Sequence, residues 1–469
     1  MFYITARNPS LLMCPTYHKT LQYDSSDYKE IEYQLTSNIQ PLRFIYGKTI
    51  MDKHYYVFEK VTKSQQLYQK INIKQLIFYP EPPVMFKTTM LQELRYCYAS
   101  TMPQPELLVF NRHSETLQNI QPAQLISGYV FTVNNYQLVL RRLTDNSGCR
   151  YLSRGIDENY IAANSAIMQL QKLQPLTQTI IVDKVERKVV NYVCEQCFYM
   201  TRGSIPIYFS QNPQYKPKPK VEIHETNEED IQKSLEHFQN IISQDLEFVP
   251  KASQFKCNVQ TFRIIDLLHF NKLSKAYQDL SSDQYVNFNL NKQPQRVLSQ
   301  FIKKIPEETI PRVNCLDSTD RTNCFATQYF SQFVKDLNLL ERLKFRNNCY
   351  KAGCVIGRSY TGTVCEKVVQ TITGRKNILD KAIDTWIGVI RYMRNRVQGY
   401  QKLQKDFWND EVQFEEAQKN YWHQRAVYEL ERVVEVVIVV GIALAFCHHG
   451  KVLLFGLFCA IALMLIALQ

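Results

Sequence analysis

The stretch "PRVNCLDSTDRTNCFATQYF", residues 311–330, places one cysteine between two different hydrophobic patterns. The apolar residues that precede Cys315 predict the end of a buried strand. Beyond Arg321 the apolar residues recur at helical spacing, at Phe325, Tyr329, Phe330, Phe333, Val334 and Leu337. The seven residues from Cys315 to Arg321 are therefore expected to form a loop between a strand and a helix N-terminus.

A loop in this position suits the binding of an anion. Backbone N–H groups at a helix start carry partial positive charge, and their field favours the thiolate form of Cys315. The Arg321 guanidinium can hold two phosphate oxygens, and Thr322 can hydrogen-bond the cysteine sulfur. The pattern predicts attack by Cys315 on phosphorus, a phosphocysteine and its hydrolysis by water, with no metal or cofactor. A merely buried, structural Cys315 is the alternative, because Cys and Arg at this spacing also occur by chance.

Two aspartates stand in the same loop, and the sequence leaves their roles open. Asp317 or Asp320 is predicted to act as the general acid, provided that burial and bound phosphate keep it protonated. Capping of loop amides is the plainer interpretation, and Asp266 or a chain of waters could supply the proton instead. The remaining residues expected to line a bound substrate are Leu316, Ser318, Thr319, Thr322 and Asn323.

Length and composition bound the rest of the chain. Its 469 residues exceed one typical compact core, so two or three units are expected. The net charge of +12 indicates an anionic partner, but the basic residues are scattered, which disfavours nucleic acid. No secretory signal opens the chain, so its thirteen cysteines are expected to be mostly free thiols. Cys194 and Cys197 have metal-ligand spacing but no second pair, so they are interpreted as strand residues rather than a metal site.

The body of the chain divides into two predicted domains. Residues 1–175 indicate a mixed, largely β domain, with a hairpin at 128–143 and a helix at 158–174. Residues 176–410 indicate an α/β domain that holds the Cys-x5-Arg loop. Its strands are predicted in "QTIIVDK" and "RKVVNYVCEQCFYMT", and a capping box of Thr226 and Glu229 predicts the start of a helix. Residues 411–432 are expected to be a juxtamembrane linker.

The C-terminal segment has a different composition. Val433 to Cys447 is apolar except for Glu435, and Val452 to Leu468 is an uncharged run of 17 residues. At about 1.5 Å per residue the second run would span roughly 26 Å, close to the thickness of a thin bilayer core. Residues 433–468 are therefore predicted to form a transmembrane helical hairpin with the preceding body in the cytosol. A buried core hairpin is the alternative.

Several sequence blocks together resemble one known family, the Sac-domain phosphoinositide phosphatases. In "RVNCLDSTDRTN" eight positions match the family signature: Arg312, Asn314, Cys315, Asp317, Asp320, Arg321, Thr322 and Asn323. The other similar blocks, in order, are "ELLVFNRH" (106–113), "RGIDENYIAAN" (154–164), "TRGSIPIYFSQ" (201–211), "IDLLHFNK" (265–272), "YTGT" (360–363) and "DTWIGVIRYMRN" (384–395). The resemblance covers about residues 100–410, and the hairpin resembles that of the suppressor-of-actin type of the endoplasmic reticulum and Golgi.

The resemblance implies a membrane-integral enzyme that hydrolyses a phosphoinositide in the cytosolic leaflet, with phosphatidylinositol 4-phosphate favoured. Two acidic residues and no lysine in the loop also favour a headgroup with a single phosphate. The endoplasmic reticulum membrane, or the Golgi membrane, is the expected location. A catalytically weak lipid-binding adaptor and a protein phosphatase with a Cys-Arg loop are the alternatives.

The chain departs from the family pattern at three places. Ser318 replaces a second cysteine of the signature, "SAIMQLQ" replaces an acidic run after Asn164, and the first hundred residues match poorly. The serine removes a thiol that could form a disulfide with Cys315, while the nucleophile, the arginine and the loop length are kept. The second change is expected to alter packing where the two domains join.

Overall fold

The structure is a computed structural model. It describes residues 2–396 apart from gaps at 6–10, 15–18, 25–26, 33–38, 51–52, 61–66, 117–120, 144–149, 151–152, 183–184, 212–219, 250–260, 269–271, 282–284, 293–294, 307–308 and 376–377. Residues Met1–Gly388 form one compact unit and Val389–Gln469 a second. The elements below belong to the first unit, except that the last helix extends past Gly388 to Arg396.

The described strands lie mostly in the N-terminal half of the chain. They are β1 (Phe2–Thr5), β2 (Leu11–Cys14), β3 (Lys19–Asp24), β4 (Asp27–Glu32), β5 (Ile39–Ile50), β6 (Lys53–Lys60), β7 (Tyr68–Lys70), β8 (Leu76–Tyr79), β9 (Cys97–Ser100), β10 (Leu125–Val133), β11 (Tyr136–Arg142), β12 (Ala166–Val182), β13 (Val185–Gly203), β14 (Phe209–Ser210), β15 (Glu222–Ile223), β16 (Thr261–Asp266), β17 (Tyr285–Asn287) and β18 (Thr309–Asn314).

The described helices lie mostly in the C-terminal half. They are α1 (Val84–Leu94), α2 (Glu228–Phe248), α3 (Lys272–Asp279), α4 (Gln295–Ile302), α5 (Asp320–Ser331), α6 (Leu339–Thr361), α7 (Val368–Thr373) and α8 (Ile378–Arg396), together with the short 3₁₀ helices Ile73–Gln75 and Glu106–Leu108. The largely β character of residues 1–175 agrees with the prediction.

Two large sheets organise these elements. One has seven strands in the order β4-β3-β2-β1-β5-β6-β8, and the other has nine in the order β17-β16-β18-β13-β12-β11-β10-β9-β7. In the nine-stranded sheet β17, β16, β18 and β13 run parallel, whereas β13 back to β7 is antiparallel. The predicted domain boundary at 175/176 falls inside β12, so the sheet continues across it.

The strand–loop–helix prediction around Cys315 is confirmed. β18 ends at Asn314, and α5 begins at Asp320. The apolar face of α5 is buried in the largest core cluster, with Phe325 and Phe330 fully enclosed. This burial fixes the helix, and with it the C-terminal side of the loop.

The predicted helix over residues 158–174 is wrong. Ala166–Val182 is the strand β12, which pairs with β11 on one side and β13 on the other. The decisive pattern has period two: Ala166, Met168 and Leu170 face one core cluster, and Ile167 faces another. A strand buried on both faces carries apolar residues on each, and its spacing can then imitate a helix.

Two further predictions concern local structure. The hairpin at 128–143 is confirmed, with β10 and β11 joined at Asn134 and Asn135. The capping box of α2 lies one residue later than predicted, because Asn227 rather than Thr226 accepts from the backbone N–H at the third helical position, that of Asp230, at 2.9 Å. The Thr226 hydroxyl instead accepts from the N–H of Tyr208 at 2.9 Å.

The predicted linker 411–432 and hairpin 433–468 lie outside the described residues. Within the described ranges, no helix has the length and apolar character needed to cross a membrane.

Candidate active site

Cys315 lies at the carboxyl end of the central parallel strand. β18 is flanked by β16 and β13, and Asp266 at the end of β16 stands opposite Asn314 at the end of β18. The Cys315 side chain is 3% exposed and is not in a disulfide. In α/β sheets ligands bind beyond the carboxyl ends of the strands, and Cys315 occupies such a position.

Arg321 is the second residue of α5 and therefore belongs to the first helical turn. Its Nη1 donates to the carbonyl oxygen of Leu267 at 3.1 Å, which ties the guanidinium to the end of β16. The guanidinium has five N–H donors, and this contact occupies one side of the group. Arg321 is half-buried, so its guanidinium is partly screened from water at the same sheet edge as the thiol.

Asp317 is a buried ion-paired residue. Its Oδ1 accepts from Arg154 Nη1, and its Oδ2 lies 2.9 Å from Nε of Arg150. The Asn164 side chain also donates to the Asp317 carbonyl at 2.6 Å. Two guanidinium groups favour the ionised carboxylate, which conflicts with the predicted role of general acid for Asp317.

Asp320 differs from Asp317 in its partners and exposure. Its Oδ1 accepts from the backbone N–H of Glu366 at 2.6 Å, and its Oδ2 accepts from the Thr319 hydroxyl at 3.2 Å. The residue opens α5 and is half-buried. Asp320 thus joins the loop to the segment that follows α6.

Asp266, the further acid candidate, is a fully buried hydrogen-bond hub. Its carboxylate accepts from five groups: the Leu268 N–H and the side chains of Asn314, Ser274, Tyr285 and Asn287. These bonds hold the ends of β16 and β17 together. The arrangement indicates an anchor for the sheet edge.

Ser318 and Asn323 contact neighbouring elements through their side chains. Ser318 is fully buried with φ of 53°, and its Oγ accepts from Nε of Arg202 at 3.3 Å. Asn323 is fully buried and donates to the Tyr350 carbonyl on α6 at 3.2 Å. Both were predicted to bind substrate, whereas these contacts hold the loop and α5 in place.

The three remaining candidates for substrate binding, Leu316, Thr319 and Thr322, have different surroundings. Leu316 is half-buried against the cluster around Leu268 and Tyr277. Thr319 is buried, and its carbonyl accepts from the Asn323 N–H at 2.9 Å. The Thr322 hydroxyl is buried and has no hydrogen-bond partner among the described residues, so the predicted bond to the Cys315 sulfur is not formed.

Sequence reasoning missed the groups that surround the loop from outside. They are Arg150, Arg154, Asn164, Arg202, the Leu267 carbonyl and the Glu366 N–H. Four of them belong to the quoted blocks at 154–164, 201–211 and 265–272, and Glu366 lies three residues after the "YTGT" block. The available signal was therefore the series of family-like blocks along the chain. Nothing in their spacing indicated which of their atoms would be in contact.

A family match covers part of the same region and extends into the first hundred residues, where the sequence was expected to match poorly. The SacI homology domain matches residues 10–305, which is more than half of the chain. The chain therefore belongs to the SacI homology domain family. The match ends before Cys315, so the assignment of the loop rests on its own geometry.

Curated relatives are similar at low identity. A zebrafish phosphatidylinositol-3-phosphatase, SAC1-B, is 23% identical over 339 residues, covering 63% of this chain and 53% of the relative. The phosphatidylinositide phosphatases SAC2 of zebrafish and human are 24% and 25% identical, each covering 55% of this chain and 24% of the relative. The chain thus spans about half the length of the first relative and about a quarter of the other two.

Proposed function

We propose that this protein is a phosphoinositide phosphatase that uses Cys315 as its nucleophile. The observation that carries the proposal is the position of Cys315 after a central parallel strand, with Arg321 in the first turn of the next helix. Membership of the SacI homology domain family and the names of the curated relatives support the same class of substrate.

The proposed reaction uses two in-line displacements at phosphorus. The Cys315 thiolate attacks, the ester P–O bond breaks, and the lipid alcohol leaves with a proton from an acid. Water then attacks the phosphocysteine, the P–S bond breaks, and inorganic phosphate leaves. Arg321 and the loop N–H groups balance the charge on the transferring group in both steps.

The proton donor is proposed from the contrast among the aspartates. Asp317 is paired with two guanidinium groups, and Asp266 accepts from five donors. Asp320 is half-buried at the start of α5, so solvent reaches it. We assign Asp320, directly or through a water, to the proton transfer.

The proposed substrate carries a single phosphate, with phosphatidylinositol 4-phosphate as the isomer that the sequence resemblance favours. Asp320 and the lack of lysine between Cys315 and Arg321 disfavour further phosphates on the headgroup. Asp317 does not contribute, because Arg150 and Arg154 offset its charge. One relative is named as a 3-phosphatase, so phosphatidylinositol 3-phosphate belongs in the same comparison.

The proposed setting is a cytosolic membrane face. The hairpin at 433–468 would hold the enzyme in the endoplasmic reticulum or Golgi membrane, and the net charge of +12 would favour an anionic surface.

The decisive experiment measures phosphate release from phosphoinositide vesicles in the presence of a chelator. We expect activity in the wild type and a loss of about 1,000-fold or more in Cys315→Ser, because the hydroxyl is a far weaker nucleophile than a thiolate. Cys349→Ser, at a thiol buried on α6, is the matched control. Activity that survives in Cys315→Ser contradicts the mechanism, and activity lost only with chelator contradicts its metal-free form.

A panel of lipids tests the substrate. The monophosphates should be hydrolysed faster than bisphosphates or trisphosphates, with the 4-phosphate fastest. Faster turnover of a bisphosphate would refute the single-phosphate proposal. Vesicle binding by a wild type without turnover would instead favour the adaptor.

A further inference from the structure

Arg202 is a fully buried arginine behind the loop, and the mechanism above does not use it. It lies on β13 opposite Val313, two residues before the nucleophile. Its Nη2 donates to the Ser318 carbonyl and to the Thr319 carbonyl, the latter at 3.3 Å. With the bond from Nε to the Ser318 hydroxyl, the guanidinium makes three contacts to two successive loop residues.

These contacts fix the direction of two peptide groups. In a trans peptide the C=O and the N–H point in opposite directions. The Ser318 carbonyl shares its peptide with the Thr319 N–H, and the Thr319 carbonyl shares its peptide with the Asp320 N–H. Because Arg202 holds both carbonyls, the two N–H groups point away from its guanidinium.

The backbone at Ser318 requires such support. Its φ of 53° is in the left-handed region, which is unfavourable for a residue with a Cβ. Strained backbone conformations persist where surrounding contacts hold them in place, and they cluster at functional sites. The Arg202 contacts to both the side chain and the carbonyl of Ser318 supply that constraint.

The Arg202 guanidinium also places a positive charge next to Ser318 and Thr319. Among the described residues no carboxylate forms an ion pair with it, and its Nη1 contacts the sulfur of Met168 at 3.6 Å. Burial lowers its pKa, whereas Cys365, Cys315 and Asp320 nearby act in the opposite direction. An arginine stays protonated in a protein, so a cation stands directly behind the loop.

We propose that Arg202 is a positioning residue that turns the N–H groups of Thr319 and Asp320 toward the anion bound at Cys315. The cation behind them adds to the field that stabilises this anion. The proposal rests on the proposed phosphatase function, and it differs from a role in folding alone because it predicts weaker binding of a transition-state mimic.

The test compares Arg202→Lys with Arg141→Lys, a matched change of a fully buried arginine in the same sheet that pairs with Asp245. A lysine keeps the charge but loses the fork that spans both carbonyls. We expect the kcat of Arg202→Lys to fall about 100-fold with little change in KM, and the inhibition constant for orthovanadate to rise about 10-fold or more.

The inhibition constant separates positioning from stability, since it does not depend on the fraction of folded enzyme. Values of kcat per folded molecule and of the vanadate constant within about twofold of wild type in Arg202→Lys would overturn the proposal. Arg202→Gln, which is neutral and shorter, is the second variant with the same criteria.

Two measurements on the unchanged protein keep the proposal testable if neither variant folds or the wild type has no activity. Orthovanadate should slow hydrogen exchange in the peptide that contains Thr319 and Asp320, and it should raise the melting temperature. Unchanged exchange in that peptide, together with vanadate binding, would overturn the positioning proposal. Loop protection in a protein that releases no phosphate would refute only the proposed function.

Discussion

Asp317 and Asp320 stand three residues apart and have different environments. Asp317 is buried between Arg150 and Arg154, so its carboxylate connects the segment at 150–154 to the loop. Asp320 accepts from a backbone N–H and a hydroxyl, and it is half-buried. Asp317 is therefore suited to holding the loop in place, and Asp320 to contacting substrate and solvent.

Asp317→Asn tests this division at the level of stability. The amide leaves the buried Arg154 guanidinium without its counter-charge, and breaking a buried pair in this way costs about 3–5 kcal/mol. We expect the free energy of unfolding to fall by that order. The measurement is denaturant unfolding followed by fluorescence.

Asp320→Asn is the control for that substitution. The amide oxygen can still accept from the Glu366 N–H, so the loss of stability should stay below about 1 kcal/mol, while phosphate release falls. Equal losses of stability in the two variants would contradict the division between Asp317 and Asp320.

The contact between α5 and α6 shows how a helix pair fixes the loop. A Cβ on Gly353 would overlap the side-chain amide of Asn323, so the glycine permits the close approach of the two helices. Asn323 is fully buried and donates to the Tyr350 carbonyl, which prevents its side chain from moving aside without loss. The small residue on α6 thus sets the position of the first turns of α5, where Arg321 and Thr322 lie.

Gly353→Ala should therefore destabilise the protein and lower phosphate release. The overlap forces a shift that costs on the order of 1–3 kcal/mol, typical of overpacking. Asn323→Ala removes the overlapping atoms, so Gly353→Ala should cost little in that background. A double-mutant cycle of unfolding free energies measures this coupling, and simple additivity would show that the contact is not the cause.

The sequence predicted strands and helices better than it predicted the contacts between them. The change from strand to helical period around Cys315 was sufficient to predict β18, the loop and α5. The run from Ala166 was misassigned because a doubly buried strand is apolar on both faces, and only its pairing with β11 and β13 distinguishes it from a helix. The bonds from Arg202 to Ser318 depend on strand register, which no local pattern encodes.

In the compact unit as a whole, distant segments converge on one loop. Side chains or backbone groups from residues 150–164, 202, 267 and 366 all contact residues 317–321. The nine-stranded sheet achieves this by running antiparallel through β13 and then adding β18 and β16 in parallel. Hence the loop can be rigid although most of its partners are more than 100 residues away in sequence.

The C-terminal segment carries the remaining prediction for the whole chain. An uncharged apolar run of 17 residues, preceded by the apolar run that begins at Val433, is expected to partition into a bilayer as a helical hairpin. The full chain should stay with membranes after alkaline carbonate extraction, whereas a chain that ends at residue 432 should enter the supernatant.

Replacing Ala460 and Leu463, near the middle of the second run, with arginine should weaken retention, since each charge at mid-membrane costs about 2.5–3.5 kcal/mol on insertion scales. The matched control places arginine at Gln401 and Gln404, outside the apolar runs. Release of the unaltered full chain by carbonate would contradict the hairpin, and it would leave the Cys315 mechanism unaffected, because soluble short-chain phosphoinositides test that mechanism separately.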